Sequence, residues 1–233
     1  MKFAALTLLA TAGPPLAAHN WLDATGDWTS IPDIASSRAI YRELDKPDTL
    51  HSYTFTAKKN QELFLQLTSP DSGPSADFTP ALALILKDQS LDPSLVSLSH
   101  ARLEDSAPWR RLLSADDEDG IVMAMGSAPD FESFYEPVTG TRYRIRQTLI
   151  LSAPADGEYR VVIFSPSHES GKYIFAPGRL ENFSLGDILG LPKVWFEVRT
   201  FMGESTAPAW VALAVIVAAA LGTIAFLSLT APR

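Results

Sequence analysis

The chain has 233 residues, and its 19 basic and 27 acidic side chains leave a formal charge of −8 at pH 7. This balance disfavours a protein that binds nucleic acid or anionic lipid by charge. The sequence has no cysteine, which excludes disulfides, cysteine zinc sites, a lipidated cysteine and a cysteine nucleophile. A domain of this size is large enough to be stable by burial alone.

Residues 1–18 have the pattern of a secretory signal peptide. Lys2 precedes the apolar run Phe3–Ala12, which is too short to span a bilayer, and small residues end the segment. Cleavage after Ala18 would make His19 the mature N-terminus. An uncleaved anchor is the alternative.

Residues 19–181 begin irregularly and then show strand patterns. His51–Ala57 alternates aromatic and polar side chains, and Glu62–Thr68 places three leucines on one face. The polar residues 58–60 lie between them. The pattern predicts that these two strands form a β-hairpin.

Further strands are expected later in the same region. Ala81–Lys87 is nearly all apolar, which is typical of a strand buried on both faces. Strict alternation predicts strands at Thr141–Ser152 and Glu158–Phe164, with shorter ones at Ile121–Met125 and Lys172–Ala176. At least six strands at short spacing predict an all-β fold, a sandwich or a barrel, for residues 19–181.

After Gly178 the spacing of the apolar residues changes from the two-residue period of strands to that of a helix. Ser184 is a candidate N-cap, and apolar residues recur at helical spacing as far as Met202, although Pro192 is expected to break or restart the helix. Residues 182–207 therefore predict an amphipathic juxtamembrane segment that lies in the bilayer interface. Packing of its apolar side on the sandwich is the alternative.

Residues 208–230 predict one transmembrane helix. Ala209–Leu229 has twenty-one residues and no charge, and at about 1.5 Å per residue it just crosses a hydrocarbon core of roughly 30 Å. The tail, residues 231–233, carries only Arg233, which agrees with a cytoplasmic C-terminus. We expect a single-pass protein of the cell membrane whose N-terminal domain is periplasmic or extracellular. In a eukaryote, a GPI signal is the alternative.

Two groups of residues are candidates for contact with the membrane or within it. Aromatic side chains suited to the interface are Trp195, Phe196, Phe201 and Trp210. Small residues that would let helices approach closely are Ala214, Ala218 and Gly222. The predicted span has no ionisable residue, so we expect a tether and not a transporter.

Parts of the sequence resemble bacterial pre-peptidase C-terminal domains. Residues 53–57 (YTFTA) with 62–67 (ELFLQL) are similar to the opening hairpin of that family, and residues 155–163 (ADGEYRVVI) with 171–175 (GKYIF) are similar to its closing strands. The usual glycine of the first turn is absent. The resemblance implies a jelly-roll-like β-sandwich of a secreted protein and no reaction. The whole arrangement also resembles uncharacterised membrane-anchored prokaryotic proteins, a group with no known activity or site residues.

His19 is a candidate copper ligand. If cleavage follows Ala18, its free amine and imidazole would chelate Cu(II) as half of a histidine brace, as in exported copper β-sandwiches. The second imidazole would come from His51, His100 or His168. The alternative is that His19 occupies this position by chance, because any cleaved protein must begin with some residue.

Residues 88–119 are the least periodic and end in an acidic run. Asp116, Asp117 and Asp119 are candidate calcium ligands, although the run lacks the spacing and the distal glutamate of an EF-hand. A solvated acidic loop is the alternative.

Two further groups of charged residues are candidate sites. Glu132 and Glu136 flank an aromatic phrase, which suggests glycoside chemistry or a sugar-stacking platform; a polar loop is the alternative. Arg142, Arg144 and Arg146 recur at strand period, which suggests an anion or acidic-partner patch; a solvated face paired with acids is the alternative.

The sequence contains no G-x-S-x-G, H-E-x-x-H or P-loop motif, and we predict no cofactor. We expect a non-enzymatic, single-pass, membrane-anchored exported β-sandwich that acts as a binding module or as an accessory subunit of a membrane complex. Its expected partners are the lipid bilayer and another protein, not nucleic acid. The alternatives are a copper protein that uses His19, a carbohydrate-binding module, and a hydrolase of unrecognised mechanism.

Overall fold

A computed structural model describes residues 20–21, 28–46, 49–86, 121–125, 133–137, 139–181, 185–211, 214–215 and 218. Among them, the strands in chain order are β1 Asn20–Trp21, β2 Trp28–Ser30, β3 Arg38–Leu44, β4 His51–Ala57, β5 Glu62–Pro70, β6 Ala81–Leu86, β7 Ile121–Met125, β8 Ser133–Glu136, β9 Thr141–Ser152, β10 Gly157–Phe164 and β11 Gly171–Pro177. A 3-10 turn occupies Gly73–Ser75, and the helix α1 spans Leu185–Met202.

The strands form two sheets that face each other as a β-sandwich. One sheet has six strands in the order β1-β3-β11-β5-β9-β8, and the other has five in the order β2-β4-β10-β6-β7. Only the two short strands β1 and β2 pair in parallel, with β3 and β4; the other pairs between the described strands are antiparallel. The predicted all-β sandwich is confirmed.

The predicted hairpin of the first two strong strands is wrong. Both strands form, but β4 pairs with β2 and β10, while β5 pairs with β9 and β11 in the other sheet. The chain crosses between the sheets near Asn60, which has a positive φ of 65° and whose N–H bonds to the Ala153 carbonyl at 2.7 Å. Alternation specifies which face of a strand is buried, but it does not specify which strand lies beside it. Strands in two facing sheets bury their apolar faces against each other, so the same alternation also fits the observed arrangement.

The inner faces of the two sheets form one apolar core. It includes Phe55 of β4, whose ring stacks on Tyr159 of β10 with centroids 5.6 Å apart. Strand β6 is buried on both faces, as its apolar sequence predicted. Its leucines join the main core, and its other side packs with Val162 and Phe164 in a second cluster on the outer face of the five-stranded sheet.

A β-bulge changes the face of β9 partway along its length. Leu67 of β5 pairs with Gln147, but the next residue, Thr68, pairs with Ile145. Arg146 is therefore the extra residue of β9, and the arginines of this strand do not share one face as the alternation suggested.

The helix α1 is continuous through Pro192, so the predicted break at this proline is wrong. Proline removes one helical hydrogen bond, but the turns that follow it are held by contacts to the six-stranded sheet. Tertiary packing supplies most of the stability of helices in proteins, and here it outweighs the local loss.

Beyond α1, residues 207–211 are again helical. Within the described part of the chain, no helix combines the length and apolar character needed to cross a bilayer. Residues 212–213, 216–217 and 219–233 of the predicted span and tail lie outside that part, as do the predicted signal peptide and residues 87–120.

Candidate functional site

The last turns of α1 pack on the outer face of the six-stranded sheet. Val198 is completely buried, and the ring of Phe201 meets that of Tyr41 edge to face with centroids 5.9 Å apart. Met202 packs against a small apolar cluster on this face, formed by Ala39, Tyr41, Phe134, Tyr143 and Ile174. For this half of the helix, the contacts match the alternative in which the apolar side of residues 182–207 packs on the sandwich, not the one in which it lies in the bilayer interface.

Arg199 makes the polar contacts that join the helix to its surroundings. Its Nη1 donates to the carbonyl oxygen of Thr139, in the turn between β8 and β9, at 3.1 Å. Its Nε donates to the Ser205 carbonyl at 2.8 Å, and Nη1 is paired with the Glu204 carboxylate at 3.1 Å. The guanidinium also lies over the Trp195 ring, 5.0 Å from the centroid. One side chain thus connects the sandwich, the helix and the segment that follows it.

The C-terminal end of α1 is capped in two ways. Gly203, with φ 75°, donates its N–H to the Thr200 carbonyl, and the Glu204 N–H bonds to the Arg199 carbonyl, which together form a Schellman motif. Lys172 of β11 donates its Nζ to the Phe201 carbonyl. A cation at this end is favourable because the last carbonyls carry partial negative charge.

A buried polar network lies beneath the docked helix. The Glu136 carboxylate accepts hydrogen bonds from the Thr139 N–H, at 2.6 Å, and from its hydroxyl. The Thr139 hydroxyl contacts Thr141, and the hydroxyls of Tyr143 and Tyr41 approach each other at 3.4 Å. Burial raises the pKa of Tyr143, and it raises the pKa of Tyr41 by more.

Glu136 fixes the turn that receives Arg199. Glu132, which the sequence suggested as its carboxylate partner, lies outside the described residues.

The aromatic residues predicted to contact the membrane divide into two places. Trp195 and Phe196 meet edge to face at 5.1 Å, and Phe196 contacts Trp210 at 5.5 Å. We call these three residues the aromatic elbow, because they join α1 to the helical residues 207–211. Phe201, by contrast, lies against the sandwich. Whether any of the four contacts lipid stays a prediction.

The small residues of the predicted span are only partly described. Ala214 and Ala218 are helical and exposed, and Gly222 lies outside the described residues. A packing face formed by the three therefore stays a prediction.

His51, a candidate copper ligand, is a core residue with 2% of its surface exposed. Its Nε2 lies 3.0 Å from the Arg42 guanidinium, and its Nδ1 lies 2.6 Å from the Tyr173 hydroxyl. Because a guanidinium can only donate, Nε2 accepts and Nδ1–H donates. Both ring nitrogens are thus engaged within the protein, which leaves no lone pair for a metal.

The network continues from His51 across the core. The hydroxyls of Tyr173 and Tyr53 lie 2.7 Å apart and join the two sheets. Burial raises the pKa of Tyr53 to about 12 and raises that of Tyr173 further above its usual value.

The remaining metal candidates are not brought together in the described residues. His168 is exposed in the turn before β11, with a positive φ of 57°. His19, His100, Asp116, Asp117 and Asp119 lie outside the described part. Within that part, no cluster of three or more histidine, aspartate or glutamate side chains has the arrangement of a metal site.

The arginines of β9 hold a loop of the same chain. Buried Arg146 donates to the Ser69 hydroxyl at 2.7 Å and to the Ala76 carbonyl at 2.5 Å, and burial lowers its pKa. Arg144 pairs with the Asp71 carboxylate. Burial works against ionisation of Asp71, but hydrogen bonds from Arg144 and a serine outweigh it and lower the pKa of Asp71. Two of the three arginines suggested as an anion patch therefore bind residues 69–76.

The sequence did not single out the residues that make the helix junction, Thr139, Lys172 and Arg199. A basic residue in the last turn before Gly203 is a recognisable sign of a helix end. Nothing local to the sequence shows which carbonyl on the sandwich Arg199 reaches, because its partner is 60 positions away.

Comparisons with known proteins do not assign the chain to a family. No family model matches the sequence, and neither does any curated protein. Among solved structures, the pre-peptidase C-terminal domain of a Bacillus anthracis collagenase aligns with a TM-score of 0.36 and 12% identity, over 66% of this chain and 97% of that chain.

Two periplasmic inhibitors of g-type lysozyme align to a similar extent. The Aeromonas hydrophila protein has a TM-score of 0.35 and 12% identity, over 64% of this chain and 95% of its own. The Salmonella Typhimurium protein has a TM-score of 0.31 and 12% identity, over 66% of this chain and 98% of its own. The description of this chain as a β-sandwich rests on its own strand pairing.

Proposed function

We propose that this chain is a non-enzymatic exported β-sandwich, tethered to the cell membrane by one C-terminal span, that acts as a binding module or as an accessory subunit of a membrane complex. The observation that carries the proposal is the contact of Arg199 with both Thr139 and Ser205. It holds the sandwich to the segment that leads into the uncharged run Ala209–Leu229.

The junction is unlike a flexible linker. Linkers that let a domain move freely are rich in glycine and serine. Here the chain passes from the sandwich into α1, whose end is buried at Val198 and capped by Lys172, and then into a turn bonded to Arg199. Such an arrangement gives the sandwich one orientation relative to residues 207–211. A fixed orientation suits a domain that presents one surface to a partner in the same membrane.

The polar side chains of the described core support a binding role over a catalytic one. The buried histidine, glutamate and arginine side chains of the described residues are His51, Glu136, Arg146 and Arg160. The first three are hydrogen-bonded to neighbouring core or loop groups, and the guanidinium of Arg160 lies over the Trp28 ring. The resemblance to pre-peptidase C-terminal domains agrees with this reading, because it implies a fold and no reaction. We propose no metal or cofactor for this function.

The proposal is tested by purification of the tagged full chain from its own membranes in mild detergent. We expect the chain to resist a carbonate wash and to purify with a membrane protein at a fixed stoichiometry. Arg199→Ala should stay in the membrane but lose the partner, whereas Lys193→Ala, which removes an exposed cation from the same helix, should keep it. Release by carbonate would overturn the anchor, and purification alone after crosslinking in intact membranes would overturn the accessory role.

A further inference from the structure

We infer that the aromatic elbow is a lipid-binding surface that lies at the headgroup level of the bilayer and turns the β8–β9 edge of the sandwich toward the membrane. The inference rests on the proposed membrane anchor and adds to it the contact surface, the lipid chemistry and the orientation. Three observations on the described residues carry it.

The first observation is the construction of the elbow. Trp195 and Phe196 come from α1, Trp210 comes from the helical residues after the turn, and Phe196 touches both tryptophans. Trp210 nevertheless keeps 60% of its surface exposed. Tryptophan has an apolar body and one N–H donor, and it is enriched where hydrocarbon meets headgroups.

The second observation is that exposed apolar side chains continue beyond the elbow among the described helical residues 207–211 and 214–215. Val211 and Val215 are each 63% exposed, and they belong to the uncharged run Ala209–Leu229. The elbow lies at the start of this run, where a helix that enters a bilayer passes the headgroups. This continuity favours lipid over a separate soluble protein as the occupant.

The third observation is the pairing of charges beside the elbow. Lys193 lies 3.6 Å from Glu197, and Arg199 lies 3.1 Å from Glu204. Each of these cations has an acidic partner, so the described residues beside the elbow offer anionic lipids no surplus of positive charge. We therefore expect it to bind zwitterionic phosphatidylcholine as well as mixtures that contain anionic lipid.

The same contacts fix the orientation of the domain. Arg199 lies over Trp195 and also bonds to Thr139, so the β8–β9 turn is the part of the sandwich joined most directly to the elbow. Trp28 lies on the edge strand β2 of the other sheet and is 48% exposed. It therefore serves as an exposed tryptophan that should stay away from lipid.

The experiment is fluorescence quenching of the full chain in phosphatidylcholine vesicles whose acyl chains carry bromine at a shallow or a deep carbon. We expect strong quenching, greatest with shallow bromine and unchanged by added anionic lipid. The double variant Trp195→Phe with Trp210→Phe should lose most of it, whereas Trp28→Phe should keep it. Circular dichroism of each variant, matched to the parent, verifies the fold.

The outcomes separate the inference from the function on which it rests. If vesicle-bound protein is quenched equally with and without Trp195 and Trp210, the inference is overturned and the anchor stands. Vesicle-bound protein whose tryptophans emit as buried groups but are not quenched also overturns it, since the elbow would then pack on protein. A chain that does not float with the vesicles overturns the proposed anchor itself.

Discussion

The guanidinium of Arg199 donates a hydrogen bond to the carbonyl oxygen of Thr139 at 3.1 Å, across 60 positions of sequence. Thr139 is itself held by the buried carboxylate of Glu136. The end of the helix is therefore bonded to a turn that the buried Glu136 carboxylate holds in place.

Arg199→Ala should loosen α1 without unfolding the sandwich. The substitution removes hydrogen bonds from a charged donor and a mostly buried ion pair, a loss of about 2 kcal/mol. Amide hydrogen exchange should rise across residues 185–202 and stay unchanged in β4 and β10. Lys193→Ala is the matched control, because its pair with Glu197 is exposed and should leave exchange unaltered. Equal exchange in the two variants would show that Arg199 does not hold the helix.

Tyr173→Phe should destabilise the sandwich through its core network. The variant leaves the His51 Nδ1–H and the Tyr53 hydroxyl without their shared partner, and each buried unsatisfied group costs about 1–3 kcal/mol. Urea unfolding should show a lower midpoint with an unchanged slope. Tyr135→Phe, which removes an exposed hydroxyl, should change the free energy of unfolding by less than about 0.5 kcal/mol. A midpoint for Tyr173→Phe equal to that of Tyr135→Phe would contradict the network.

The sandwich should lose stability at alkaline pH because its buried tyrosines resist ionisation. The pKa of Tyr53 is raised to about 12, and burial also raises those of Tyr41, Tyr143 and Tyr173. A pKa that is higher in the folded state favours folding below the unfolded value of about 10 and loses that contribution as pH rises toward the folded value. Stability should therefore stay level up to about pH 9.5 and then fall.

The measurement is unfolding by urea at a series of pH values, with tyrosinate absorbance recorded in parallel. For Tyr53 alone the contribution is about 3 kcal/mol, lost between about pH 10 and pH 12. Tyr53→Phe should flatten the alkaline fall by a corresponding amount. Tyrosinate absorbance that reaches its full value while the protein is still folded would refute the prediction.

Arg146→Ala and Arg142→Ala should differ sharply in thermal stability although both residues lie on β9. Loss of Arg146 removes the donor to the Ser69 hydroxyl and leaves the Ala76 carbonyl only the longer bond from Arg144 Nη1 at 3.3 Å, which costs about 3 kcal/mol. Arg142 is exposed, with its guanidinium over Tyr135, so its loss should cost less than about 0.5 kcal/mol. Thermal unfolding of the two variants checks this, and equal melting temperatures would show that the bulge does not bury Arg146 as described.

The strands of this protein could be located from its sequence because burial of one face leaves a period of two residues. His51–Ala57 and Thr141–Ser152 are strands over the same residues that alternation predicted, and the apolar run at β6 is buried on both faces. Four strands, β1, β2, β3 and β8, were not predicted. Three of them have too few residues to leave a clear period, and β3, with the sequence RAIYREL, does not alternate apolar with polar side chains.

The tertiary structure alone decided which strands pair and what the polar residues do. The same alternation is compatible with a hairpin of β4 and β5 and with their placement in opposite sheets, because both arrangements bury the same faces. The sequence suggested His51 as a copper ligand and Arg146 as part of an anion-binding patch. In the structure both are buried, with hydrogen-bond partners far away in the sequence. The sequence by itself determined the export and membrane expectations and the β class. The Arg199 junction appears only when the chain is folded, because it joins residues whose separation leaves no local pattern.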